Sequence, residues 1–151
     1  MLFNDQKTEP AHILIIDDQP SNVLILREAV RDLGEIHFAT SGEAALRAAQ
    51  REPPDVILLD IEMPGLTGLE ATERIVAAGR ETRCLMVTTF DRPGYLRRGL
   101  QAGAAGFVVK DTPAHELADA VRRVHEGLRV VDPTLAATTL LDGPNPLTAR
   151  E

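Results

Sequence analysis

The sequence predicts an α/β protein, one doubly wound sheet of five parallel strands with helices on both faces. Four short apolar runs carry the strand reading: Ile13 to Ile16, Val56 to Leu59, Leu85 to Val87 and Phe107 to Val109. They are rich in β-branched residues and lack polar alternation, as strands covered on both faces do. The stretches between them space their apolar residues as helices do. With 151 residues, 44% hydrophobic and 26% charged, the chain fits a single domain that buries a real core. Four Phe and one Tyr are its only aromatics, so that core must rest on aliphatic side chains.

Residues 1–11 are polar and aperiodic and are read as a flexible arm, with the folded domain spanning 12–130. After the first strand, Pro20 to Leu33 sets Val23, Leu26, Val30 and Leu33 on one helical face. Ile36 to Thr40 alternates and suits an edge strand. Ser41 is a plausible N-cap for a helix to Gln50 that carries Ala44, Ala45, Leu46 and Ala49. The third strand is followed by a helix from Thr67 or Gly68 to Ala78, closed by Gly79. The fourth is followed by Pro93 to Ala102, closed by Gly103, and the fifth by Pro113 to Glu126, closed by Gly127. Proline starts and glycine stops are the expected asymmetry. In the last of these helices Leu117, Val121, Val124 and Leu128 share a stripe. Residues 131–151 read as a short helix, Asp132 to Leu141, and a linker, Asp142 to Pro146.

Strand and helix alternation at this spacing implies right-handed βαβ units. The expected arrangement is flavodoxin-like, with strand order 2-1-3-4-5 and ligands beyond the carboxyl ends of the strands.

Composition narrows the function. A net charge of −7 and a pI near 5.1 argue against a nucleic-acid footprint within these residues. The single cysteine, Cys84, cannot pair internally and is expected in the core, so a reducing cytoplasm is the default. No aliphatic run approaches a membrane span. His12, His37, His115 and His125 show no mutual metal spacing and read as structural. Arg97-Arg98 and Arg122-Arg123 read as solvated helix faces.

The strand ends carry the chemistry. Asp17-Asp18 follow the first strand, Asp60 the third, Thr88-Thr89 the fourth and Lys110 the fifth. The fold would gather them around one crevice. Three carboxylates there repel one another unless a cation neutralises them, and an all-oxygen donor set favours Mg²⁺. Lys110 stands out because the chain uses fourteen Arg but only two Lys. A compact ammonium suits a moving phosphoryl group better than a guanidinium. Singly, an Asp after a strand is a turn former and Thr88 an ordinary hydroxyl; their joint occurrence at consecutive strand ends is what counts.

Over about His12 to Leu128 these residues resemble the receiver domain of bacterial two-component response regulators. The most specific piece is Asp60-Ile61-Glu62-Met63-Pro64-Gly65-Leu66-Thr67-Gly68, similar to the family's D-x-x-M-P-x-x-x-G loop. The resemblance implies that Asp60 accepts a phosphoryl group from a sensor histidine kinase. It implies Mg²⁺ held by Asp18, Asp60 and the backbone carbonyl of Glu62, with Asp17 acting through water. It also implies that Thr88 and Lys110 bind phosphoryl oxygens, that Phe107 is an aromatic switch linked to Thr88, and that phosphorylation enhances a homodimer. Thr89, Glu62 and Phe90 flank the acceptor and would tune phosphoryl access or lifetime. Residues from Thr88 to Tyr95 and the tail are similar to NarL/FixJ-type regulators, and Leu147 to Glu151 to the opening of a LuxR-type helix-turn-helix domain. DNA binding would then reside in an absent C-terminal domain. Asp17 to Leu59 is more similar to receivers joined to diguanylate cyclases, so a chimeric chain is a second reading of the origin.

Two other functions fit parts of the pattern. A haloacid-dehalogenase-like phosphatase also uses a strand-end Asp, a Thr or Ser and a Lys. It needs a second Asp two residues after the nucleophile, where this chain has Glu62. A flavin carrier would need a Ser/Thr/Gly-rich loop after the first strand, which is lacking.

Overall fold

Every apolar run forms a strand and every predicted helical stretch contributes a helix. The structure, a computed structural model, describes residues 10–79, 81–88 and 94–141. In chain order these form β1 (Ala11–Ile16), α1 (Pro20–Val30), β2 (Gly34–Ala39), α2 (Gly42–Arg51), β3 (Val56–Asp60) and α3 (Gly68–Ala77). There follow β4 (Arg83–Thr88), α4 (Tyr95–Ala102), β5 (Gly106–Val109), α5 (Ala114–His125), β6 (Val130–Val131) and α6 (Pro133–Leu141). The arm before residue 10, Thr89, Phe90, the proposed helix start at Pro93, and the linker and tail from Asp142 onward lie outside the described residues.

All pairings are parallel, in the order β2-β1-β3-β4-β5-β6. The sheet therefore keeps the expected order but has six strands where the sequence suggests five. Val130 and Val131 pair with Gly106 and Phe107. Two residues are too few to leave a periodic signal. The expected domain limit at 130 falls inside this short strand. From α6, Leu135 is buried in the core.

The helices flank the sheet. On one side α1 and α5 pack together, burying Val23, Leu26, Val30, Leu117, Val121 and Val124 against Ile13, Ile15, Val56 and Leu58. On the other, α2, α3 and α4 cover Leu14, Ile16, Ile57, Leu59, Met86 and Phe107. Fully buried aliphatic side chains of this kind contribute roughly 1.5–3 kcal/mol each. Cys84 is buried, as expected. Leu128 departs from its predicted stripe: α5 ends at His125, and Leu128 is exposed beyond it.

Local chemistry sets the helix starts. The Ser41 hydroxyl accepts the Ala44 N–H at 3.1 Å. Thr67 and Glu70 form a reciprocal capping box. Because every strand runs the same way, their carboxyl ends share one edge of the sheet, and the loops that follow them meet there.

Candidate functional site at the carboxyl ends of the strands

Asp17 leaves β1, Asp60 ends β3, Thr88 ends β4 and Lys110 follows β5. Asp17, Asp60 and Thr88 are buried, while Asp18 and Lys110 are half-buried. The crevice has a polar floor under a partly open mouth. Among the described residues, Asp17, Asp18 and Asp60 each offer an oxygen, and these oxygens lie within 4.8 Å of one another.

The Lys110 ammonium reaches into this group, with Nζ 3.3 Å from Asp60 Oδ2 and 3.7 Å from Asp17 Oδ2. Its backbone N–H donates to the Thr88 carbonyl at 2.9 Å, which fixes where the side chain starts. Asp17 is held from the other side. Its Oδ1 accepts the Gln19 N–H at 3.0 Å and the Asn22 amide at 3.5 Å. Asp60 Oδ1 accepts the Glu62 N–H at 3.3 Å.

These surroundings pull Asp60 in opposite directions. Burial pushes its carboxyl from the ordinary 3.8 up to about 6, and Asp17 adds to the rise. The Lys110 ammonium and the hydrogen bonds from Lys110 and Glu62 oppose it. Burial prevails. A single lysine does not neutralise three gathered carboxylates, so the cluster fits a hard divalent cation held by oxygens.

The side chains of Asp17, Asp18, Asp60 and Lys110 converge here, with Thr88 buried at the end of the neighbouring strand. The Glu62 carboxylate is exposed and accepts the Tyr95 hydroxyl at 3.0 Å; only its backbone faces Asp60. Phe107 lies fully buried beneath the site, packed against Gly99 of α4. Sequence reading missed Asn22 and Tyr95. Asn22 sits in the first turn after the acidic pair, a spacing that could have flagged it, whereas Tyr95 meets Glu62 only through tertiary folding.

The histidines show no metal spacing along the chain, yet the fold groups two of them. His12 and His37 are neighbours with Glu35, all three offering ligand atoms within 4.8 Å of one another. Parallel pairing of β1 with β2 brings them together, and no local spacing in the chain encodes that.

The model of the response regulator receiver domain matches residues 13–122. The chain belongs to that family. It carries a receiver module of two-component signalling, and the phosphatase alternative finds no support. The chain is 42% identical over 120 residues to the transcriptional regulatory protein DesR of Bacillus subtilis (strain 168), covering 80% of this chain and 59% of that protein. It is 32% identical over 127 residues to the response regulator GacA of Pseudomonas aeruginosa, covering 82% and 59%. The chain thus spans about six-tenths of the length of the curated relatives it matches. Among solved structures it resembles the receiver domain of the response regulator NarL from Mycobacterium tuberculosis, with a TM-score of 0.74, 32% identity, and 79% and 98% of the two chains covered. A LuxR-family two-component response regulator from Aurantimonas sp. SI85-9A1 superposes with a TM-score of 0.79 at 25% identity, covering 89% and 98%. Among the described residues, no helix is long and apolar enough to cross a membrane.

Proposed function

We propose that this receiver accepts a phosphoryl group on Asp60 from the phosphohistidine of a sensor histidine kinase. The observation that carries the reading is the Lys110 amine 3.3 Å from Asp60 inside a cluster of three mutually close carboxylates. In the transfer, an Asp60 carboxylate oxygen forms a bond to phosphorus as the bond from phosphorus to the kinase histidine nitrogen breaks. Thr88 and Lys110 bind the phosphoryl oxygens and take up the charge that arrives with them.

Asp18, Asp60 and the backbone carbonyl of Glu62 would hold Mg²⁺, with Asp17 acting through water. When bound, the ion screens the carboxylate from the phosphoryl oxygens. Phosphorylation gives Thr88 and Lys110 new partners and biases the packing of Phe107, α4 and β5, which favours a homodimer. One phosphoryl group is taken up per chain, with slow autodephosphorylation and no conventional turnover. We place the protein in the cytoplasm and its output on DNA, through a domain outside these residues.

Acetyl phosphate or beryllofluoride with Mg²⁺, followed by intact mass and sedimentation, tests this. The expected result is one adduct on Asp60 and a shift toward dimer. An Asp60→Asn variant that gained the same adduct would overturn the assignment.

A further inference from the structure

A second convergence of donor atoms lies at the opposite end of the sheet. The β1–β2 register sets His12 beside Glu35 and Leu14 beside His37. Residues two apart on a strand share a face, so His12, Glu35 and His37 rise from the same side of the sheet. Glu35 Oε1 stands 3.4 Å from His12 Nδ1. From the end of α2, Glu52 brings its Oε2 to 3.7 Å from the same nitrogen.

That nitrogen is the informative atom. His12 Nδ1 is shut off from solvent yet makes no hydrogen bond, a costly state for a polar group. The backbone around it is fixed. The His12 N–H donates to Asp55 Oδ2 at 2.8 Å, and the Asp55 N–H donates to the His12 carbonyl at 2.8 Å. Closer approach of the Glu35 and Glu52 carboxylates, now 3.4 and 3.7 Å away, or a ligand between them would satisfy Nδ1.

We propose that His12, Glu35 and His37, with Glu52 as a fourth donor, bind a borderline divalent transition-metal ion, Zn²⁺ foremost. Two imidazoles with carboxylates are a donor set that suits Zn²⁺, whereas Mg²⁺ prefers the all-oxygen cluster at the strand ends. Tetrahedral Zn²⁺ at its usual bond lengths sets ligand atoms roughly 3.3–3.5 Å apart. The His37, Glu35 and Glu52 side chains are exposed and can close that far. Along β1 the site lies about 16 Å from Asp17, five residues at strand rise. An ion there would tie β1, β2 and the end of α2 together without touching the strand-end chemistry.

The rival is a protonated His12 held by Glu35 and Glu52 as an ion pair. Calorimetric Zn²⁺ titration of tag-free protein in excess Mg²⁺, all on an Asp60→Asn background, separates the two. The expected result is one Zn²⁺ per chain and, for Co²⁺, the intense visible absorption of a tetrahedral site. Affinity should fall at least about tenfold in His12→Asn and in His37→Asn. His37 is an exposed edge-strand residue, so that second variant guards against a folding failure at His12. Zn²⁺ binding that persists in His37→Asn and Glu35→Gln, or the absence of any Zn²⁺ or Co²⁺ uptake, overturns the proposal in favour of the ion pair. Because every arm lacks Asp60, failure here leaves the phosphoacceptor reading untouched.

Discussion

The ring of Phe107 fills the space that a side chain at Gly99 would need. A Cβ on Gly99 would overlap the ring Cζ and stand 2.7 and 2.9 Å from its two Cε atoms. The inward position of Phe107 thus depends on the bare backbone of α4 at that turn. A glycine inside a helix ordinarily weakens it by up to about 1 kcal/mol relative to alanine; here the space it leaves is what the ring uses.

Gly99→Ala should therefore destabilise the domain, against its helix propensity, by about 1–3 kcal/mol through overpacking. Urea unfolding measures this. Adding Phe107→Leu should return part of the loss, with a coupling of at least about 0.5 kcal/mol in the double-mutant cycle. Strict additivity would show that ring and glycine do not share that space.

Asp60 gives the pH dependence. Its carboxyl titrates at about 6 in the fold against 3.8 ordinarily. Between those values the folded chain binds more protons than the unfolded one, so stability falls as pH rises through the window and levels off above it. In metal-free protein near neutral pH, Asp60→Asn should be more stable than wild type by up to about 3 kcal/mol. Near pH 4 the advantage should vanish. Thermal melts in EDTA across this range check both, and a variant no more stable than wild type at neutral pH contradicts the buried-charge account.

Mg²⁺ relieves the same repulsion by a different route. It should raise the melting temperature of wild type, by about 1.4 kcal/mol of stability at ten times its dissociation constant. Asp18→Asn should abolish most of that gain without lowering the metal-free melt, because Asp18 is half-buried and its loss removes a ligand and one of the mutually repelling charges rather than a packed group. His37→Asn, at the other end of the sheet, should leave the Mg²⁺ response intact.

How far the sequence specifies this site differs from residue to residue. Asp17, Asp60, Thr88 and Lys110 were legible because parallel strands must all end at one edge, so a type at a strand end is also a place in space. Val130 and Val131 were not, since a two-residue strand owes its existence to its neighbour β5. The Tyr95–Glu62 hydrogen bond and the grouping of His12 with Glu35 and His37 were hidden for a related reason. Each joins segments through tertiary folding or strand register, and a single chain read by its local periods carries no mark of either. Leu128 fails in the opposite sense: its spacing continues the α5 stripe, but the helix stops at His125 and the chain turns at Gly127, leaving the side chain in water.

The loop after Asp60 makes the sharpest demand on a small residue. A Cβ on Gly68 would overlap the Asp60 carbonyl oxygen and stand 2.8 Å from Ile61 Cα, and the Gly68 N–H donates to the Ile61 carbonyl at 2.9 Å. The first turn of α3 is thereby folded onto the backbone that aims Asp60. Gly68→Ala should push the two apart, costing about 1–3 kcal/mol in stability and slowing phosphoryl uptake from acetyl phosphate. Thr67→Ala is the matched control, because it removes the helix cap, worth about 1 kcal/mol, without adding bulk against Asp60. If the two variants lose stability to a similar degree and only Gly68→Ala loses phosphoryl uptake, backbone contact rather than helix stability positions the acceptor. Equal uptake in both would contradict that.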